Sequence, residues 1–85
     1  MNILFYRWYG ITEPNVINNL KKLGHTVYEY DRKFNNYEVD ASLMQELVFL
    51  KHEKKIDMFF SLDYYPFLSS TANVLEIPYI SWVFD

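Results

Sequence analysis

A length of 85 residues, with 51% hydrophobic and 20% aromatic content, bounds this chain to one small packed domain and excludes disorder. A net charge of −3 gives no general reason to bind nucleic acid or an anionic membrane, and without cysteine there is neither a disulfide framework nor a cysteine metal site. No signal peptide precedes the first apolar strand and no apolar run is long enough for a membrane span, so a cytoplasmic protein is expected.

The first element in chain order is Ile3-Leu4-Phe5-Tyr6, a short apolar run of the kind that forms a parallel strand buried on both faces. After a loop from Arg7 to Ile11, Thr12-Glu13-Pro14 has the chemistry of a helix start: a hydroxyl to cap, an acid for the positive end, and a proline tolerated in the first turn. Val16, Ile17, Leu20 and Leu23 then form one helical stripe, and Gly24 supplies a left-handed stop. His25, just after that stop, reads as structural. Thr26 to Tyr30 is a second strand, ending at Asp31.

Residues 32–39 read as a loop with Asn35-Asn36 as turn formers, and Asp40 as the cap of a second helix carrying Leu43, Leu47 and Leu50. Lys51, His52, Lys54 and Lys55 crowd its C-terminal end, where cations are favoured and solvated. Ile56 to Ser61 is a third strand, Pro66 opens a third helix with Leu68, Ala72 and Leu75 on one stripe, and Pro78 leads into a fourth strand, Tyr79 to Asp85. The alternation predicts an α/β, Rossmann-like parallel sheet of four strands in the order 2-1-3-4 with three helices. Right-handed crossovers put the first helix on one face and the other two opposite. One face is then thinly covered and the fourth strand, residues 79–84, is an edge suited to self-association. An apolar strand closed by Asp85, with nothing to cover it, reads as the front part of a larger protein.

In open α/β sheets, ligands bind beyond the carboxyl ends of the strands. Three such ends converge here: Arg7-Trp8-Tyr9-Gly10, Ser61-Leu62-Asp63-Tyr64-Tyr65, and Asp85. Tyr and Trp present a flat apolar face with a polar tip, which suits a sugar or nucleoside. Arg7 can hold a phosphate or carboxylate through its planar fork, and Asp85 can take a proton from an attacking hydroxyl within hydrogen-bond reach. Packing is the competing role for these aromatics, and turn or cap duty for Asp31, Asp63 and Asp85. No metal spacing, nucleophile elbow or G-x-G-x-x-G is present, and Gly10 alone in its loop excludes a dinucleotide fingerprint.

Three segments carry a family resemblance: Asn2-Ile3-Leu4-Phe5-Tyr6, the Phe59-Phe60-Ser61-Leu62-Asp63-Tyr64-Tyr65-Pro66 loop, and Ile77-Pro78-Tyr79-Ile80-Ser81-Trp82-Val83-Phe84-Asp85. Together they resemble the N-terminal domain of CgeB-like (spore maturation protein) glycosyltransferases, with the last segment the most specific. The resemblance implies a GT-B enzyme of two Rossmann-like domains. The N-terminal one, residues 1–85 here, receives a sugar or glycan acceptor, and a nucleotide-sugar donor sits in a C-terminal domain absent from this sequence. It implies that the loops at Gly10, Asp63 and Asp85 face the cleft, with Asp85 as catalytic candidate and Arg7, Trp8, Gly10, Asp63 and Tyr64 as substrate-binding candidates. No cofactor or metal is expected in this domain, and the fragment alone is not expected to transfer sugar. The family tends to have an amide where Asp63 stands. A non-catalytic binding or assembly module of flavodoxin-like fold is the alternative. A response-regulator receiver is disfavoured, because Arg7-Trp8 stands where an acidic pair is required.

Overall fold

Strands apolar on both faces, alternating with helices apolar on one, leave few ways to bury the chain; a parallel sheet covered on both sides is the one adopted. The computed structural model describes residues 1–33 and 41–82. Its elements are β1 (Asn2–Tyr6), α1 (Glu13–Lys22), β2 (Thr26–Tyr30), α2 (Ala41–Glu53), β3 (Met58–Leu62), α3 (Pro66–Leu75) and β4 (Tyr79–Trp82). The strands form one parallel sheet in the order β2-β1-β3-β4. The expected architecture is therefore present. The Asn35-Asn36 turn, the Asp40 cap, and Asp85 with the end of the fourth strand lie outside the described residues.

The period-2 alternation of β1 divides the core. Leu4 and Tyr6 face α2 and α3 in a cluster with Leu43, Leu47, Phe59, Leu68 and Ala72. Ile3 and Phe5 face α1 in a second cluster with Ile17, Met58, Phe60 and Leu62. Phe5 and Phe60 stack across the central strand pair with centroids 5.4 Å apart. Each such aliphatic or aromatic side chain contributes roughly 1.5–3 kcal/mol on burial, and the two central strands hold the largest share of them. The α1 face is the thinner one: Ile80 and Trp82, in register with Phe60 and Leu62, remain 49% and 54% exposed.

All three helices end alike, with a left-handed residue followed by a bond from the next amide back to a carbonyl five residues earlier. Gly24 (φ 95°) precedes His25 N–H to Leu20 O, Lys55 (φ 53°) precedes Ile56 N–H to Lys51 O, and Glu76 (φ 57°) precedes Ile77 N–H to Ala72 O. These are Schellman closures, which satisfy orphan carbonyls at the helix end. Ile56 consequently belongs to the closing turn of α2, and β3 starts two residues later than its apolar run suggests. At the same end of the sheet, the Asn2 amide donates to Lys54 O and Lys55 O, both at 3.1 Å, and Asn2 N–H donates to the Asp57 carboxylate. The amino-terminal edge of the sheet is thereby sewn to α2, which leaves the carboxyl-terminal rim as the place for variable chemistry.

Candidate functional site at the strand ends

The rim is built around one carboxylate. Thr12 precedes α1 but makes no side-chain cap bond, so the expected hydroxyl cap is absent. Glu13 instead turns back beneath the β1–α1 loop and is 3% exposed. It accepts bonds from Trp8 N–H (2.9 Å), Tyr9 N–H (2.8 Å) and Arg7 Nε (3.1 Å). An acid in the first turn of a helix is favoured by the positive end of the dipole. Here the same carboxylate also fixes the loop that follows β1.

Arg7, expected to grip a substrate anion, is engaged by the protein itself. Its Nε pairs with Glu13 and its Nη1 with Glu29 at 2.6 Å, and its side chain is 15% exposed. Burial pulls the guanidinium pKa down, but the bonds to Glu13 and Glu29 outweigh it and hold the group above its ordinary value. The guanidinium also lies over the Tyr9 ring, 4.3 Å from its centroid. Tyr9 adopts a left-handed backbone (φ 61°) and donates its hydroxyl to Asp31. The strained position in this loop is therefore Tyr9, and not Gly10. A Cβ at Gly10 would meet only Glu13 Cγ, at an ordinary 3.9 Å.

Trp8, fixed by its amide bond to Glu13, stacks on Tyr65 at 5.9 Å with the rings 15° from parallel. Lys33 donates to Arg7 O at 2.8 Å and holds its ammonium 4.0 Å above the Trp8 ring centroid, a cation–π contact. Beneath them, buried Tyr6 meets Tyr65 and Phe67 edge to face at 5.0 and 5.2 Å and donates to Arg32 O. Burial, then the charge of Asp31, pushes the Tyr6 phenol up to about 12. Burial and then Asp63 push the Tyr65 phenol up as well. Both phenols therefore stay protonated at neutral pH.

The β3–α3 loop is set by a second hub. Asp63 adopts a left-handed backbone (φ 73°), and its N–H bonds Trp82 O across the β3–β4 pair. Ser61 Oγ donates to Asp63 O at 2.7 Å, so the hydroxyl of Tyr79 donates to Ser61 Oγ and accepts from Tyr65 N–H at 3.1 Å. Tyr64 then lies flat on Tyr79, centroids 6.0 Å apart, with 53% of its surface exposed. The carboxylate-bearing residue Asp63 is exposed at the apex of this loop.

The structure thus brings together Arg7, Trp8 and Gly10 on the first loop and Asp63 and Tyr64 on the third, at neighbouring strand ends; Asp85 lies outside the described residues. Sequence reasoning missed Glu13 as the organiser, Lys33 as the cation over Trp8, and Tyr79 as the loop hub. Among the described residues no group of three or more His, Asp or Glu side chains is arranged to hold a metal ion. None of their helices is long and apolar enough to cross a membrane. A cavity of about 190 Å³ lies between β2 and the last turns of α2, lined mainly by apolar atoms of Leu4, Tyr28, Leu50 and Ile56, with Glu29, Tyr30 and Lys54 completing its wall. No protein-family model, curated protein or solved structure matches the chain.

Tyr79→Phe removes the acceptor of Tyr65 N–H and the donor to Ser61. It is expected to cost about 1–2 kcal/mol in urea denaturation. Tyr9→Phe, which deletes an exposed bond, is expected to change stability by about 0.5 kcal/mol or less. Equal costs for the two would show that the Tyr79 hub does not set the loop.

Proposed function

We propose that the strand-end rim is a carbohydrate-binding face, the acceptor side of a GT-B-type glycosyltransferase whose nucleotide-sugar donor is bound by a second Rossmann-like domain. The observation that carries the reading is a pair of aromatic rings, each about half exposed: Tyr64, stacked on Tyr79, and Trp8, stacked on Tyr65 and carrying the Lys33 ammonium over its ring. Such surfaces suit the C–H face of a pyranose, and their fixed rotamers reduce the entropy lost on binding. Asp63 beside them offers acceptors for sugar hydroxyls, and Lys33 a donor. The resemblance of the first, third and fourth strand segments to CgeB-like proteins supports the same assignment, with Asp85 as the group that accepts the attacking hydroxyl's proton. Arg7 acts in this reading as a positioning residue: its fork holds Glu13 and Glu29, and its main-chain carbonyl holds Lys33.

A non-catalytic carbohydrate-binding module is the second reading. It is favoured by one specific observation: Arg7, Glu13, Glu29, Tyr9 and Asp31 are bonded to one another, which suits recognition better than proton transfer. Titrating a panel of neutral oligosaccharides while following tryptophan fluorescence tests what the two readings share. Binding is expected, with Trp8→Ala and Tyr64→Ala each weakening it about tenfold or more. No binding across the panel, or binding indifferent to both variants, would contradict the carbohydrate assignment. Asp85→Asn in a protein carrying the donor domain separates the two: a true base costs about 10²–10⁴-fold in turnover, whereas a module shows no turnover to lose.

The β4 edge supports self-association as a further part of this proposal. Its outer edge is the end of the sheet, and half-exposed Ile80 and Trp82 stand beside it. Light scattering over a concentration series is expected to show dimers of the 85-residue chain that Ile80→Lys abolishes. A monomer throughout the micromolar range would contradict it.

A further inference from the structure

We propose that Glu13 is a built-in anion: its carboxylate fills an oxyanion cradle at the first strand-to-helix turn and so closes that turn to phosphate and carboxylate ligands. The inference holds whichever neutral ligand the rim takes. The turn between the first strand and the first helix is where open α/β folds bind phosphates, on loop amides and the helix N-terminus. This chain has the donors for such a site. Trp8 N–H points at one Glu13 oxygen (2.9 Å), and Tyr9 N–H (2.8 Å) and Arg7 Nε (3.1 Å) point at the other. Three donors converging on one carboxylate, two from successive backbone amides and one from a guanidinium, is the arrangement expected around a bound oxyanion.

What occupies the cradle is a side chain of the protein, 3% exposed, from the first residue of α1. Exchange with an outside anion is opposed in two ways. Glu13 is tethered, so it competes at a high effective concentration with any free anion. The remaining charge is also unfavourable, since the three carboxylates of Glu13, Glu29 and Asp31 outnumber the two cations of the turn, Arg7 and the Lys33 ammonium bonded to its carbonyl. A ligand arriving at this end of the rim therefore meets a satisfied, net-negative turn. It is accepted through stacking and hydroxyl bonding, and a phosphorylated or carboxylated version of the same ligand is rejected there.

Deleting the internal anion should reopen the cradle. Glu13→Ala removes Cγ, Cδ and both oxygens, which acetate replaces atom for atom; formate is smaller and propionate too large. We would follow urea denaturation and the Trp8 and Tyr9 amide resonances of the 85-residue chain during titration with acetate, formate, propionate and inorganic phosphate, with ionic strength held constant by chloride. Glu13→Ala is expected to lose stability and to regain it saturably with acetate. At acetate about ten times its Kd the folding equilibrium should shift by about tenfold, with formate next and propionate weakest, and both amides should move with the same curve. The wild type and Glu13→Gln, whose cradle stays filled, should not respond beyond the chloride control. If Glu13→Ala does not fold in buffer, the titration is run in concentrated sucrose, which favours the compact state, and the amide shifts give the readout. Absence of an acetate-specific response in the folded variant, or an equal response to phosphate in the wild type, would overturn the proposal.

Discussion

The buried carboxylate of Glu13 is the constraint on which the rim depends. A charge held this far from water is costly unless hydrogen bonds replace its hydration. Glu13 obtains that replacement from Arg7, Trp8 and Tyr9, residues that are consecutive in the chain. The electrostatic demand of one side chain thus dictates the path of the loop after β1. Two consequences follow directly. The left-handed backbone of Tyr9 is the conformation that turns its N–H inward, and the Trp8 ring is presented at the rim because its amide is committed below it.

From that loop the order spreads across neighbouring strand ends. Trp8 rests on Tyr65, and Tyr65 rests against Tyr6 and is tied by its N–H to Tyr79. Arg7 reaches to Glu29 on β2, while its carbonyl receives Lys33 from the segment beyond β2. The aromatic surface is accordingly a connected layer, anchored on one side by the Glu13 clamp and on the other by the Ser61–Tyr79–Tyr65 hydrogen bonds. Its exposed rings are each held by a stacked partner, the pre-positioning that the proposed recognition role requires. Among the described residues the amino-terminal edge of the sheet has no comparable layer; there Asn2 and the helix closures satisfy backbone groups in place.

Much of the fold was legible because the local signals agree with one another. Ile3 to Tyr6 reads as a strand buried on both faces and is so buried, the apolar run from Ile56 to Ser61 overlaps the fully buried β3, and the helical stripes at Ile17, Leu43, Leu47, Leu68 and Ala72 face the sheet as their spacing requires. The β3 boundary was misread because Ile56 is apolar for a different reason, closing α2 over a left-handed Lys55. Lys55 and Glu76 carry no conformational signature of the kind that Gly24 does. The rim was legible as a location but not as a network. Sequence order shows that Arg7, Trp8, Asp63 and Tyr64 sit at strand ends. It does not show that Arg7 is already paired, since Glu13 reads equally well as an ordinary first-turn acid and Glu29 as a solvated strand residue. Lys33 sat in an unpatterned stretch with no local sign of its contact with Trp8.

Amide hydrogen exchange at Trp8 and Tyr9 tests the central claim most directly, because it reads the clamp without altering it. Both N–H groups belong to an exposed rim loop outside any strand or helix, and such amides ordinarily exchange at nearly the free-chain rate. If the Glu13 carboxylate organises the loop, both amides should be protected roughly a hundredfold or more and should open together with the start of α1. Exchange of Trp8 and Tyr9 at open-loop rates, while the amides of β1 and α1 stay protected, would show that the rim is not built on Glu13.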